Sequence, residues 1–386
     1  MIWQTILAAA VFLAAFVGCS ADAQKAPFTI MSPTDGATVR EVVEIAVSRG
    51  DLPKGGFAAM WIDGHGVVAE AVDDDAKAFT FQWDTKEPLI APELPTKKQA
   101  IDDGEHSIKV VGYTATGAKF DESDVKVRVQ NKIHRDLGSG IALKLAFKID
   151  QSSQYEQDSL GRFTEADGTQ KWPLLQLQPL TTKRRWTHSV ADIVSPDSCV
   201  LWRKFDKDGS AVGFGYQKLL GENNRISYIY QETDNWTKPT ARSRAIGEVG
   251  FDGWISYPDT RVLPGDKWRS KVRILVDEEG DKAIENAKAV SVFEGLEWES
   301  GIECAKIVTQ VSWDTGGATL TFPSSPDYTM DIDRISGTIT SYASLRTSRL
   351  VKVIEDLEFA GQFRGTVAQA EQTGGEYGGT GGYAPG

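Results

Sequence analysis

Apolar and polar positions alternate along most of this chain, in short runs broken by glycine, Asp-Gly and proline. Val43, Ile45 and Val47 share one face of the stretch 41–47, and Phe79, Phe81 and Trp83 recur at the same interval. His106, Ile108 and Val110 repeat the pattern, as do Val125, Val127 and Val129. A period of two marks a strand with one buried face, because successive side chains point to opposite sides of the pleat. Phe57–Ile62 is another such run, and the Asp63-Gly64 that follows it signals a tight turn. This close spacing of strands predicts a β-sandwich over residues 27–131.

Residues 132–140, with Gly138-Ser139-Gly140, read as a linker. Alternation then resumes in Ile141–Ile149, with Ile141, Leu143, Leu145, Phe147 and Ile149 on one face. Further strands are expected at Arg185–Val194, Cys199–Phe205, Ala211–Lys218, Arg225–Gln231, Lys271–Val276 and Ala289–Trp298. Others are expected at Glu303–Trp313, Ala318–Phe322, Arg334–Tyr342 and Leu345–Phe359. Asp206-Lys207-Asp208-Gly209 reads as a hairpin turn; it lacks the closing glutamate of a calcium loop. The good helix formers of Gly280–Lys288 could make two helical turns, and no long helix is expected anywhere. The reading is an antiparallel β domain over 141–370, a curved sheet or partly open barrel, followed by a disordered Gly-rich tail at 371–386.

Four motifs of the first domain stand in the order seen in one known family. They are Ile30-Met31-Ser32-Pro33-Thr34-Asp35-Gly36-Ala37-Thr38-Val39, Trp61-Ile62-Asp63-Gly64, Phe81-Gln82-Trp83-Asp84-Thr85 and Asp103-Gly104-Glu105-His106-Ser107-Ile108. A closing strand ends at Val129-Gln130-Asn131. The stretch resembles bacterial Ig-like domains, which implies an all-β chain opening with an Ig-like sandwich. Such domains mostly serve as spacers or adhesion modules at cell surfaces. One departure is the long connection between Asp84 and Asp103, which carries Pro88, Pro92 and Pro95.

The N-terminus has a different texture. Ile6–Val17 is an apolar run of 12 residues, the length of a signal-peptide core and short of a bilayer span. Residues 1–23 are therefore expected to be a signal peptide, with two cleavage sites open. Phe16-Val17-Gly18-Cys19 resembles a lipobox, which implies cleavage before a lipidated Cys19 and a membrane anchor through it. Ala21-Asp22-Ala23 fits ordinary signal peptidase, which implies a periplasmic or secreted product. No other segment is long and apolar enough for a spanning helix.

Composition narrows the function. The formal net charge of −12 over 386 residues argues against nucleic acid, since neutralising phosphates takes clustered Lys and Arg. The short basic run Lys183-Arg184-Arg185 reads as a solvated strand edge. Cys199 and Cys304 could form a disulfide in an oxidising compartment or stay as buried thiols. The 4 histidines show no ligand spacing, so no metal or cofactor is expected, and no catalytic constellation is visible. Tryptophans concentrate in the second domain, at Trp172, Trp186, Trp202, Trp236, Trp254, Trp268, Trp298 and Trp313. Core packing accounts for most such residues. The candidate ligand-binding aromatics are Trp186, Trp202, Tyr228 and Tyr230, suited to stacking on a sugar or lining an apolar pocket. The expectation is a non-catalytic envelope protein whose β domain binds a glycan, lipid or protein. Its alternatives are an extracytoplasmic hydrolase of glycans or esters and a purely structural surface protein.

Overall fold

A computed structural model describes residues 27–90, 98–143, 148–161, 180–195, 198–207, 210–220, 225–232, 249–251, 257–276, 283–321 and 328–365. Among them there is no helix; the chain is all-β. Residues 1–26, with Cys19, and the Gly-rich tail lie outside the described residues. The chain divides into two units, residues 1–131 and 132–386.

The first unit holds β1 (Thr29–Ser32), β2 (Ala37–Val39), β3 (Val42–Ser48), β4 (Phe57–Ile62), β5 (His65–Ala71) and β6 (Ala78–Asp84). It continues with β7 (Leu89–Ile90), β8 (Lys98–Gln99), β9 (Gly104–Tyr113) and β10 (Lys119–Val129). One sheet has the order β1-β3-β6 and the other β2-β10-β9-β4-β5. The chain thus changes sheets between β1 and β2, and β2 joins β10 in parallel. Alternation explains the core: Ile45, Val47, Phe81 and Trp83 of one sheet bury against Met60, Ile62, Ile108 and Val127 of the other. The long connection after Asp84 carries the small β7–β8 pair, and Leu89 adds to this core.

A buried polar knot closes this sandwich. Asn131 Oδ1 accepts the Glu41 NH at 2.8 Å, and its Nδ2 donates to Thr85 Oγ1 at 3.0 Å. Thr85 Oγ1 also lies 2.9 Å from the Glu41 carbonyl, to which it donates. Satisfying these groups together is what lets them be buried.

The second unit contains β11 (Ser152–Gly161), β12 (Leu180–Ser195), β13 (Ser198–Lys207), β14 (Ser210–Leu220), β15 (Arg225–Glu232) and β16 (Val249–Phe251). Then follow β17 (Lys267–Val276), β18 (Ala283–Glu299), β19 (Ile302–Trp313), β20 (Ala318–Thr321), β21 (Tyr328–Ser344) and β22 (Leu350–Gly365). They form two open sheets, an antiparallel meander β11-β12-β13-β14-β15 and a seven-stranded sheet β16-β17-β18-β19-β21-β20 with β22 also on β21; neither closes into a barrel among the described residues. Ile274, Phe293, Ala305, Ile307, Ile335 and Ile339 centre the core. β21 and β22 run so close that a Cβ on Gly361 would collide with the Asp331 carbonyl.

Three local expectations change. Ala283–Lys288 is strand rather than helix: it pairs with β17, and Ile284 and Ala287 are buried in the core, which overrides a weak helical preference. At Ile141–Ile149, Ile141 makes only an isolated bridge to Val262, and residues 144–147 lie outside the described ones. The stretch 132–140 is tied to the second unit. Lys132 bridges Glu297, the Ile133 NH donates to the Leu296 carbonyl at 2.8 Å, and Arg261 donates to the carbonyls of Ser139 and Gly140. Its apolar residues Ile133 and Leu137 pack on the core, so the segment lies on the sheet.

Candidate functional site

The meander carries the aromatic positions singled out from sequence. The side chains of Trp186, Trp202, Tyr228, Tyr230 and Cys199 lie outside the described structure, but their backbone registers are defined. Trp202 stands opposite Tyr216, and Tyr216 opposite Tyr230, so three neighbouring strands place an aromatic residue in one cross-strand row. A second row runs Tyr155, Trp186, Phe205 across β11, β12 and β13. Tyr228 does not join Tyr230, because the register shifts between Tyr216 and Gln217 and sets Tyr228 opposite Gln217. No pattern in the sequence marks Tyr216, Tyr155 or Phe205; only the pairing brings them into line. By contrast Trp268 and Trp313 pack against the hydrophobic core, the ordinary role of a large aromatic.

One ion pair crosses the first two strands of the meander. Lys183, Arg184 and Arg185 of β12 stand opposite Asp158, Gln157 and Glu156 of β11, and Arg185 lies 3.3 Å from Glu156. Both partners of that ion pair are exposed, so it adds little stability.

Tyr155 links this sheet to the other. Its hydroxyl donates to the Leu350 carbonyl at 3.1 Å, at the start of β22. Two residues earlier the Ser348 carbonyl accepts the Tyr257 hydroxyl at 2.5 Å. Burial pushes the Tyr257 phenol far above its ordinary range, and the charges of Tyr155 and Cys304 add to this. Between the two clamped carbonyls sits Arg349, 3% exposed, with no hydrogen-bond partner for Nε, Nη1 or Nη2 among the described residues. Cys304, the second candidate for a disulfide, is fully buried on β19 opposite Ser344.

On β18 and β19 the charges are matched. Lys306 lies 3.1 Å from the buried Glu297 and 3.3 Å from Glu294. Burial alone would lower the Lys306 pKa, but the two carboxylates outweigh it and the pKa is raised. Glu299 lies 3.4 Å from Lys352.

In the first unit, His106 Nδ1 contacts Asp63 Oδ2 at 2.7 Å and Nε2 contacts the Asp102 carbonyl at 2.8 Å. Both neighbours are acceptors, so only the doubly protonated ring can donate to both. Burial opposes that charge, yet the bonds to Asp63 and Asp102 and their carboxylate charges prevail, and the His106 pKa is raised. The arrangement joins the Asp63-Gly64 turn to the segment before β9.

Among the described residues, no group of three or more His, Cys, Asp or Glu is placed to hold a metal ion, and no helix is long and apolar enough to cross a membrane. No protein-family model matches the chain, and no curated protein aligns with it. Among solved structures, the chain is similar to the fibronectin(III)-like modules of CbhA from Clostridium thermocellum, at 16% identity and a TM-score of 0.19, over 27% of this chain and 96% of that one. It is also similar to a quinonprotein alcohol dehydrogenase-like protein from Bacteroides thetaiotaomicron VPI-5482, at 8% identity and a TM-score of 0.18, over 87% of this chain and 98% of that one. At such TM-scores neither likeness bears on the chemistry of this chain.

Proposed function

We propose that this is an exported protein of the cell envelope, lipid-anchored through Cys19, in which an Ig-like domain spaces a ligand-binding β domain from the membrane. The observation that carries the binding role is the row Trp202, Tyr216, Tyr230, which sets aromatic residues on three adjacent strands of one sheet. Aromatic residues at strand spacing are of the residue type that suits a sugar or another flat, partly apolar group, and aromatic side chains bind at low entropic cost. The Ig-like reading of the first unit rests on its motif order and its two-sheet core. The anchor reading rests on the apolar run Ile6–Val17 and the Phe16-Val17-Gly18-Cys19 motif at its end.

A glycan array and a lipid overlay with the mature chain test the binding role. Binding to one panel that falls at least tenfold in Tyr216→Ala, with the circular dichroism unchanged, is the expected result. A blank in both panels overturns it and leaves a structural surface protein. The anchor is tested separately by labelling cells with a palmitate analogue: label present on the wild type and missing from Cys19→Ala is expected, and equal labelling refutes the anchor.

A further inference from the structure

The guanidinium of Arg349 is a positive charge at every physiological pH, and here it is withdrawn from water. Its three nitrogens are without a hydrogen-bond partner among the described residues. Buried charges are normally paired, because leaving water uncompensated is costly. The buried carboxylates of the same sheet are already engaged, Glu297 with Lys306 and Glu299 with Lys352.

The turn that carries Arg349 is held in place from both sides. Tyr257 clamps the carbonyl of Ser348 and Tyr155 that of Leu350. Ser348 has a φ of 51°, in the left-handed region, so the turn keeps a conformation that a free loop would relax. The Ser344 NH donates to the Arg349 carbonyl at 2.9 Å, which pins the base of the turn to β21. Around it stand small polar residues, Ser344 and Ser348, both buried. At the tip of the same turn Arg346 is exposed and Thr347 half-buried.

We propose that Arg349 anchors an anion-binding site at the β21–β22 turn, which takes the oxyanion group of a small ligand, a carboxylate or a phosphoryl group. The planar fork of arginine offers parallel N–H donors that match two oxygens of either group. Ligand charge neutralises the buried cation, and the clamped turn means little order is lost on binding. This site goes beyond the aromatic face of the meander and stands whether or not that face binds anything.

The test uses the mature chain at constant ionic strength in three series: chloride, acetate and inorganic phosphate. The melting temperature is expected to climb with acetate or with phosphate and to stay flat in chloride, and the responding series identifies the oxyanion. Calorimetry with that anion should show affinity falling roughly 10- to 100-fold in Arg349→Met. Arg349→Lys keeps the charge without the fork and should fall between. A wild type indifferent to both oxyanions overturns the proposal. So does anion stabilisation that persists in both variants, which would put the anion elsewhere. Should Arg349→Met fail to fold, the wild-type series and Arg349→Lys give the same decision. A glycan array that stays blank while the melting temperature responds to oxyanion would sink the aromatic-face reading and leave this one standing.

Discussion

The Tyr257 hydroxyl donates to the Ser348 carbonyl at 2.5 Å, across 91 residues of chain, and both residues are buried. Removing the donor leaves a buried carbonyl unsatisfied beside a residue already in the left-handed region. Tyr257→Phe should therefore lower the stability of the second unit by about 1–3 kcal/mol. Urea denaturation followed by tryptophan fluorescence reads this, and a midpoint equal to the wild type would show that the carbonyl finds another donor. Burial also keeps the phenol protonated past its ordinary value of 10.0. Above that pH the unfolded chain sheds a proton that the folded chain retains, so stability should fall with rising pH in the wild type more steeply than in Tyr257→Phe.

The first unit has a pH dependence near neutrality. His106 has a raised folded pKa, so its contribution is full below the unfolded value of about 6.5 and is lost as pH rises through the folded value. The stability difference between wild type and His106→Gln should be largest in mild acid and shrink toward alkaline pH. Asp63→Asn should bring the imidazole titration, followed by NMR, down toward the ordinary value. A histidine titrating below 6.5 in the wild type would contradict the bonding described.

Asn131 and Thr85 act as a unit. Asn131→Ala strands the Glu41 NH and removes a partner of the Thr85 hydroxyl, at a cost of about 1–3 kcal/mol. Because Thr85 is buried against the same groups, a double-mutant cycle with Thr85→Val should show coupling of roughly 0.5–3 kcal/mol. Additive losses would mean the two residues contribute separately.

Lys306 is needed because Glu297 is buried. Lys306→Met leaves that carboxylate without this counter-charge and should destabilise the second unit by roughly 1–3 kcal/mol. Adding Glu297→Leu should restore part of the loss, since replacing both members of a buried pair costs less than orphaning one. A double variant weaker than Lys306→Met would rule this account out.

The match between pattern and fold is best where the signal is local. Ile45, Val47, Phe81, Ile108 and Val127 are buried as their alternation foretold, and most strands of the second unit lie where apolar residues recur at period two. β11 leaves no periodic signal, because Ser152–Gly161 is a mostly polar edge strand without an apolar face. At Ala283–Lys288 composition favours helix, while pairing with β17 makes it strand. The candidate site was legible only in part. Trp202 and Tyr230 stand out in the sequence as aromatics, whereas only the pairing places Tyr216 between them. Nothing around Arg349 in the sequence marks it for burial among the 42 Lys and Arg residues.

By itself, then, the order of residues determined most of the strands, their inward faces and the tight turns, because the two-residue period and the backbone preferences of glycine and asparagine or aspartate act over a few neighbours. Which strands pair, where the chain changes sheets, that a shift at Tyr216 parts Tyr228 from Tyr230, and that two distant tyrosines clamp the turn holding Arg349 were decided by the tertiary structure. Those contacts join residues tens to hundreds of positions apart, and hydrogen-bond partners at that separation leave no periodic trace along the chain.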